Sequence, residues 1–211
     1  MPEGPAGARG PRGLTALSAI EVETRTGTAR AHLSGEGPGL LVLGHGAGGG
    51  VDALDLLAAR DAAHAQGWRV ALVEQPWRVA GKKVAVPPPK LDLAWVDVLK
   101  ELSGGPVVVG GRSAGARVAC RTAAEVGAAG VLCLAFPLHP PGKPERSRLD
   151  ELTAVQVPVL VVQGDKDAFG MPPGATVVPG ADHGFRVAKG GAPAKPQIRA
   201  AVEAWLAQIG A

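Results

Sequence analysis

A serine hydroxyl is a weak nucleophile until a base takes its proton, and Ser113 stands where a fold can supply one. It is the centre of Gly111-Arg112-Ser113-Ala114-Gly115, a G-x-S-x-G match. The β-branched run Val107-Val108-Val109 precedes it, and a stretch rich in Ala, Arg and Thr follows with no proline before Pro137. The run reads as a strand buried on both faces, and the stretch as a helix packed against that sheet. A serine on so sharp a strand-to-helix turn is held in strained backbone angles, and neighbours two positions away must be small. Its hydroxyl then projects from the strand end, and the Ala114 amide lies at the positive end of the helix. The alternative is a Gly-Ser loop that merely turns the chain.

The elbow reading carries a test, because a base and an acid must also lie just past strand ends. Residues 159–162 read as a strand ahead of Gln163-Gly164-Asp165-Lys166-Asp167, and residues 175–178 as the last strand, ahead of Pro179-Gly180-Ala181-Asp182-His183-Gly184-Phe185. His183 would take the Ser113 proton and return it to the leaving group, while a carboxylate fixes its tautomer and stabilises its charged form. Three aspartates compete. Asp182 adjoins His183, and neighbouring side chains in a loop diverge, so it reads as a loop-fixing residue. Asp167, three beyond Gly164, has more room to swing toward the histidine than Asp165 and is favoured; the other is expected to make a turn hydrogen bond.

A tetrahedral intermediate also needs two backbone amides aimed at its oxygen. Ala114 offers one. The other is expected from His45-Gly46-Ala47-Gly48-Gly49-Gly50, after the apolar run Leu40-Leu41-Val42-Leu43, where glycines let the backbone approach a ligand. Ala47 is the favoured donor, with Gly48 next. His45 precedes the nucleophile and reads as a loop buttress rather than the base. The same loop fits G-x-G-x-x-G over Gly44–Gly49, with Glu74 ending the next strand, the layout of a dinucleotide-binding unit. That second reading leaves Ser113, Asp167 and His183 without a role.

The elements that must position these groups alternate along the chain. Residues 19–24 and 28–33, separated by Gly27, read as an antiparallel hairpin at a sheet edge. A helix is expected over residues 51–66, with Leu54, Leu57 and Ala58 on one side and Gly67 as its stop. Strand 69–73, an irregular Pro-rich loop over residues 75–90, and a helix with Leu91, Trp95, Val98 and Leu102 as its stripe come next. Beyond the elbow lie strand 131–135, a short helix capped by Ser147-Arg148-Leu149-Asp150, and a closing helix marked by Ile198, Val202, Trp205 and Ile209. This is an α/β pattern: a mostly parallel central sheet, helices on both faces, and an N-terminal antiparallel hairpin. Active sites in such sheets lie outside the carboxyl ends of the strands, and the chain order Ser, Asp, His is that of the α/β-hydrolase fold.

Composition bounds what else the chain can do. Its 211 residues suit one core, giving a single domain over residues 17–211 behind a disordered Gly/Pro/Ala/Arg-rich tail, residues 1–16. Aromatic residues are only 3% and tyrosine is absent, so Val, Leu and Ala must fill the interior. The net charge of +3 is scattered, with no basic run interleaved with aromatics, so nucleic-acid binding has little support. The apolar stretch 128–138 is far short of the roughly 20 residues that cross a bilayer. Cys120 and Cys133 read as small core residues in a reducing compartment. The expectation is a cytoplasmic monomer or homodimer with no cofactor, no metal and no membrane or nucleic-acid partner.

Three strings together resemble the small α/β-hydrolases grouped with the testis-expressed and NSL-complex-subunit hydrolase-like proteins, with a dienelactone-hydrolase-like fold. They are the Gly44–Gly50 loop, Gly110 to Ala119, and Phe136-Pro137-Leu138-His139-Pro140-Pro141-Gly142-Lys143-Pro144-Glu145, continued by Gln163 to Gly170 and Gly180 to His183. The resemblance implies a Ser113, Asp167, His183 triad and no particular substrate. Ala116 departs from it where a second glycine is usual.

Only about a dozen residues follow Phe136 before the next helix, too few for a helical lid, so an open site is expected. His139, Lys143 and Trp77 are rim candidates: the first two for a polar or anionic group, Trp77 as a wall for an acyl or leaving group. The sequence therefore reads as a serine hydrolase of a small carboxylic ester or thioester, acting through an acyl-enzyme on Ser113. The alternatives are a non-catalytic scaffold of the same fold and, behind it, the dinucleotide-binding protein.

Overall fold

Every second side chain of the strand β3 (Leu40–Gly44) goes to a different core: Leu40 and Val42 to one face, Leu41 and Leu43 to the other. A strand apolar at every position needs cover on both sides, and helices provide it. The computed structural model describes residues 18–102 and 104–209; the tail expected over residues 1–16 lies outside them. Eight strands form one sheet. Besides β3 they are β1 (Ser18–Thr24), β2 (Gly27–Ser34), β4 (Arg69–Glu74), β5 (Val107–Arg112), β6 (Gly130–Leu134), β7 (Val159–Gly164) and β8 (Thr176–Val178), in the order β1-β2-β4-β3-β5-β6-β7-β8. The first two pair antiparallel with each other, β2 is antiparallel to β4, and every later pairing is parallel. This is the α/β-hydrolase architecture.

Helices α1 (Leu54–Ala65) and α6 (Ala194–Ile209) cover one face, with Leu56, Ala59, Ala63, Ile198 and Leu206 in its core. Helices α3 (Pro88–Glu101) and α4 (Ala114–Thr122) cover the other, joined by the short α5 (Leu149–Thr153). Cys120 on α4 and Cys133 on β6 are buried and unlinked, their sulfurs 3.4 Å apart. No helix among the described residues is long and apolar enough to cross a membrane.

Four local expectations change. The first helix begins at Leu54, not at residue 51, and its inward side is led by Leu56, while Leu54 is exposed. Apolar residues at 54, 56 and 57 fit two overlapping stripes, and the sheet takes the one that brings the alanines with it. Within the stretch read as an irregular loop, Pro76–Val79 forms the single turn α2, and α3 starts at Pro88. Proline is at home there, since first-turn amides have no intrahelical partner. Finally, Ser147 does not cap α5. The N-cap is Arg148, and the Ser147 hydroxyl instead accepts the Leu149 amide at 3.2 Å, a local turn.

The chain runs from β3 through α1 to β4 on one side, then crosses through α3 to β5 on the other. The carboxyl ends of β3 and β5 therefore diverge at a switch in strand order, where open α/β sheets leave a crevice. The loop after β3 and the turn after β5 meet there.

Candidate active site

Ser113 joins β5 to α4 with φ 53° and ψ −109°, a conformation rare for any residue but glycine. Its amide donates to the Leu134 carbonyl of β6 at 2.9 Å, which pins the turn. The flanking glycines are required by contact. A Cβ at Gly111 or at Gly115 would run into the Gly44 carbonyl oxygen. Half-buried Ser113 is thus pushed up between strand ends, its hydroxyl free of the helix it precedes.

The loops after β7 and β8 bring their groups to that hydroxyl. His183 Nε2 lies 3.0 Å from Ser113 Oγ, and His183 Nδ1 lies 2.8 Å from Asp167 Oδ2. The Asp167 side chain is only 1% exposed, whereas that of His183 is 22% exposed. With Nδ1–H donating to the carboxylate, Nε2 is left as the acceptor for the serine hydroxyl. The rival aspartates are occupied elsewhere. Asp165 accepts the Gly180 amide at 2.6 Å, and Asp182 accepts those of Gly184 and Arg186 at 2.8 and 2.9 Å. Both brace the loop that presents His183.

The Gly-rich loop after β3 leans on this turn: a Cβ at Gly46 would stand 3.4 Å from Ser113 Cβ and 3.1 Å from Arg112 Nη1. Neither the Ala47 nor the Ala114 amide donates to any group among the described residues. His45 is away from the serine. Its Nε2 accepts the Gln75 amide at 3.1 Å and its Nδ1 donates to the Gly46 carbonyl at 2.8 Å, a neutral tautomer that clamps the loop. Burial holds its pKa below the ordinary value, consistent with that tautomer.

Glu74, the ribose ligand of the dinucleotide reading, is engaged by His32 Nε2 at 2.9 Å and by Arg30 at 3.5 Å. The first turn of α1, where a phosphate would sit, holds the buried carboxylate of Asp55. Among the described residues no group of three or more His, Cys, Asp or Glu side chains could hold a metal ion.

Trp77 is buried, edge-on to His45 with ring centroids 5.5 Å apart. It joins Ala47, Leu91, Trp95, Ala114 and Val118 around a cavity of about 10 Å³ beside the turn. His139 and Lys143 are not part of that lining. The His139 ring bonds within its own loop, Nδ1 to the Pro140 carbonyl, its backbone amide donates to the Phe169 carbonyl at 3.0 Å, and Lys143 is exposed. The segment between β6 and α5 forms no helix.

Three further residues converge on the site. Gln163, fully buried at the end of β7, sets its Nε2 2.8 Å from Asp167 Oδ2, with the Gly170 and Phe136 carbonyls at 2.9 and 3.1 Å. Phe169 lies against the His183 ring at 4.2 Å between centroids. Arg112, the second residue of the motif, donates Nη2 to the His183 carbonyl at 2.9 Å, and its Nε is 3.1 Å from Asp55 Oδ2. That second contact is an ion pair without a hydrogen bond's alignment. A buried glutamine after two valines was the one available signal for Gln163; Arg112 and Phe169 gave none.

The alpha/beta hydrolase domain family matches residues 38–209. No curated protein matches the chain in sequence. Among solved structures, XC6422 from Xanthomonas campestris, described as an a/b serine hydrolase without lid, superposes with a TM-score of 0.70 at 19% identity, over 94% of this chain and 97% of that one. An alpha-beta serine hydrolase homologue from Coxiella burnetii gives 0.72 at 17% identity, over 90% and 97%. A dienelactone hydrolase from Anabaena variabilis gives 0.71 at 16%, over 92% and 97%. At these identities the likeness is one of fold.

Proposed function

The chain belongs to the alpha/beta hydrolase domain family, and from that premise we propose that it is a serine hydrolase of small carboxylic esters or thioesters, working through an acyl-enzyme on Ser113. One observation carries the reading: the unbroken hydrogen-bond chain from Ser113 Oγ through His183 to a buried Asp167, built on a serine in strained backbone angles. Structural neighbours described as serine hydrolases support the reaction class. The resemblance to the testis-expressed and NSL-complex-subunit group is compatible with it and adds no substrate.

In the first half-reaction Ser113 Oγ attacks the carbonyl carbon as its proton moves to His183 Nε2. The carbonyl oxygen, now carrying the charge, is met by the amides of Ala114 and Ala47. The bond to the leaving group breaks, and that group departs with the proton from Nε2. Water then repeats the sequence on the acyl-enzyme and releases the acid. Asp167 keeps Nδ1 protonated throughout and stabilises the imidazolium.

The test is labelling by a fluorophosphonate probe together with turnover of p-nitrophenyl acetate. Both are expected of the wild-type protein, and Ser113→Ala should abolish the first and lower kcat by at least about a thousandfold. A wild-type chain that neither labels nor turns over an aryl ester would keep the fold for a non-catalytic role.

A further inference from the structure

The cavity beside the Ser113 turn has a position that assigns it to one half of the substrate. If Ser113 is the nucleophile proposed above, the leaving group must lie next to His183 Nε2, which protonates it, and the carbonyl oxygen must face Ala47 and Ala114. The cavity touches both of those amide-bearing residues, Gly44 and Gly115, but not His183 or its loop. Ser113 itself is outside the lining and Gly115, two residues on, is in it, so the cavity opens beside the nucleophile on the amide side, the side left to the acyl chain. Its walls are chiefly hydrocarbon and indole, from Leu91, Val118, Trp77 and Trp95.

Its size then limits that chain. A volume of about 10 Å³ is at the lower bound for one water molecule, and a methyl group is of similar bulk. A thin partition separates it from a larger space. A second, open groove of about 210 Å³ runs between the Thr26–Thr28 turn of the β1-β2 hairpin and the segment 76–86. Trp77 belongs to both linings. The neighbours Ala85 and Val86 divide the same way, Ala85 in the cavity and Val86 in the groove. The Trp77 Nε1 atom is buried with no hydrogen-bond partner among the described residues, so packing alone holds the indole in place.

We propose that Trp77 sets acyl-chain length: the protein takes acetyl and propionyl groups, and the groove behind the indole receives a longer chain only when the indole is removed. The inference rests on the Ser113 nucleophile, and the experiment keeps the two separate. Separate samples of wild type, Trp77→Ala and Trp77→Leu are treated either with a fluorophosphonate probe or with p-nitrophenyl phosphonates carrying methyl, ethyl, butyl or octyl on phosphorus. Each phosphonate reacts once with the serine and releases one p-nitrophenolate, so the labelling rate reads the acyl pocket without any later step. One unaccommodated methylene costs about tenfold or more in such a pocket, so wild type should label with methyl and ethyl at least tenfold faster than with butyl or octyl.

In Trp77→Ala the octyl-to-methyl ratio should rise at least about tenfold, a change in preference that mere loss of packing would not produce. Trp77→Leu, which retains an apolar side chain, should shift the ratio in the same direction and stands in if the alanine variant does not fold. A wild-type Ser113 that takes neither the fluorophosphonate nor any of the phosphonates would remove the nucleophile and this proposal with it. A Ser113 that takes the probe but prefers octyl, refuses methyl, or keeps its ratio unchanged in the folded Trp77 variants would overturn the proposal alone.

Discussion

Gln163 has two amide hydrogens and three acceptors around them, so its nitrogen is committed to holding Asp167 between the Gly170 and Phe136 carbonyls. Replacing it by leucine keeps the volume and takes one donor from each acceptor, leaving Asp167 Oδ2 to His183 alone, the Phe136 carbonyl to the Leu138 amide, and the Gly170 carbonyl short of its side-chain donor. Gln163→Leu should cost about 1–3 kcal/mol in denaturant unfolding and slow fluorophosphonate labelling about tenfold. Gln163→Glu separates positioning from bulk: two facing carboxylates cannot both ionise, so the acid limb of the pH–rate profile should move to higher pH. At this scale the sequence shows the members of the hydrogen-bonded chain from Ser113 to Asp167 better than their supports. Ser113 and His183 are legible because a strand-to-helix turn and a strand-end loop leave few other uses for them. Asp167 is separable from Asp165 only by the room it has to swing, and the hydrogen bond to His183 follows that room. Gln163 and Phe169 act through contacts that only the folded loops create.

Arg112 links three elements: Asp55 of α1, the loop after β8 through the His183 carbonyl, and the loop after β3 by packing on Gly46. Asp55 is nearly fully buried; burial pushes its carboxyl up and the Arg112 guanidinium pulls it back. Removing one member strands the other. Asp55→Asn and Arg112→Met should each lower unfolding stability by about 3–5 kcal/mol, and Asp55→Leu combined with Arg112→Met should recover much of it. Activity should not recover in the double variant, because the tie to His183 is lost with the guanidinium. The motif names position 112 but gives no hint of its partner, which lies on a helix whose inward face is itself ambiguous between Leu54 and Leu56. The central parallel strands β3 to β7 are legible because near-continuous apolar runs admit few other structures, and the β1-β2 hairpin shows through Gly27 at its turn. The turn α2 is hidden because prolines that open a helix also fill loops.

Across the molecule, acid acts on histidines before it reaches most carboxylates. His45 and His64 are both held below their ordinary value of 6.5, in each case chiefly by burial. The folded state therefore binds fewer protons than the unfolded one as pH falls through that value, and stability present above it is lost on acidification. Melting temperature should fall from about pH 7 to about pH 5, and His45→Gln, whose carbonyl can still accept the Gln75 amide, should flatten the slope.

A left-handed serine costs its protein about 1–3 kcal/mol that a glycine at the same place would not. Ser113→Gly, though chemically dead, should melt higher than the parent, by several degrees in a thermal scan. Durability and usefulness thus oppose each other at a single codon.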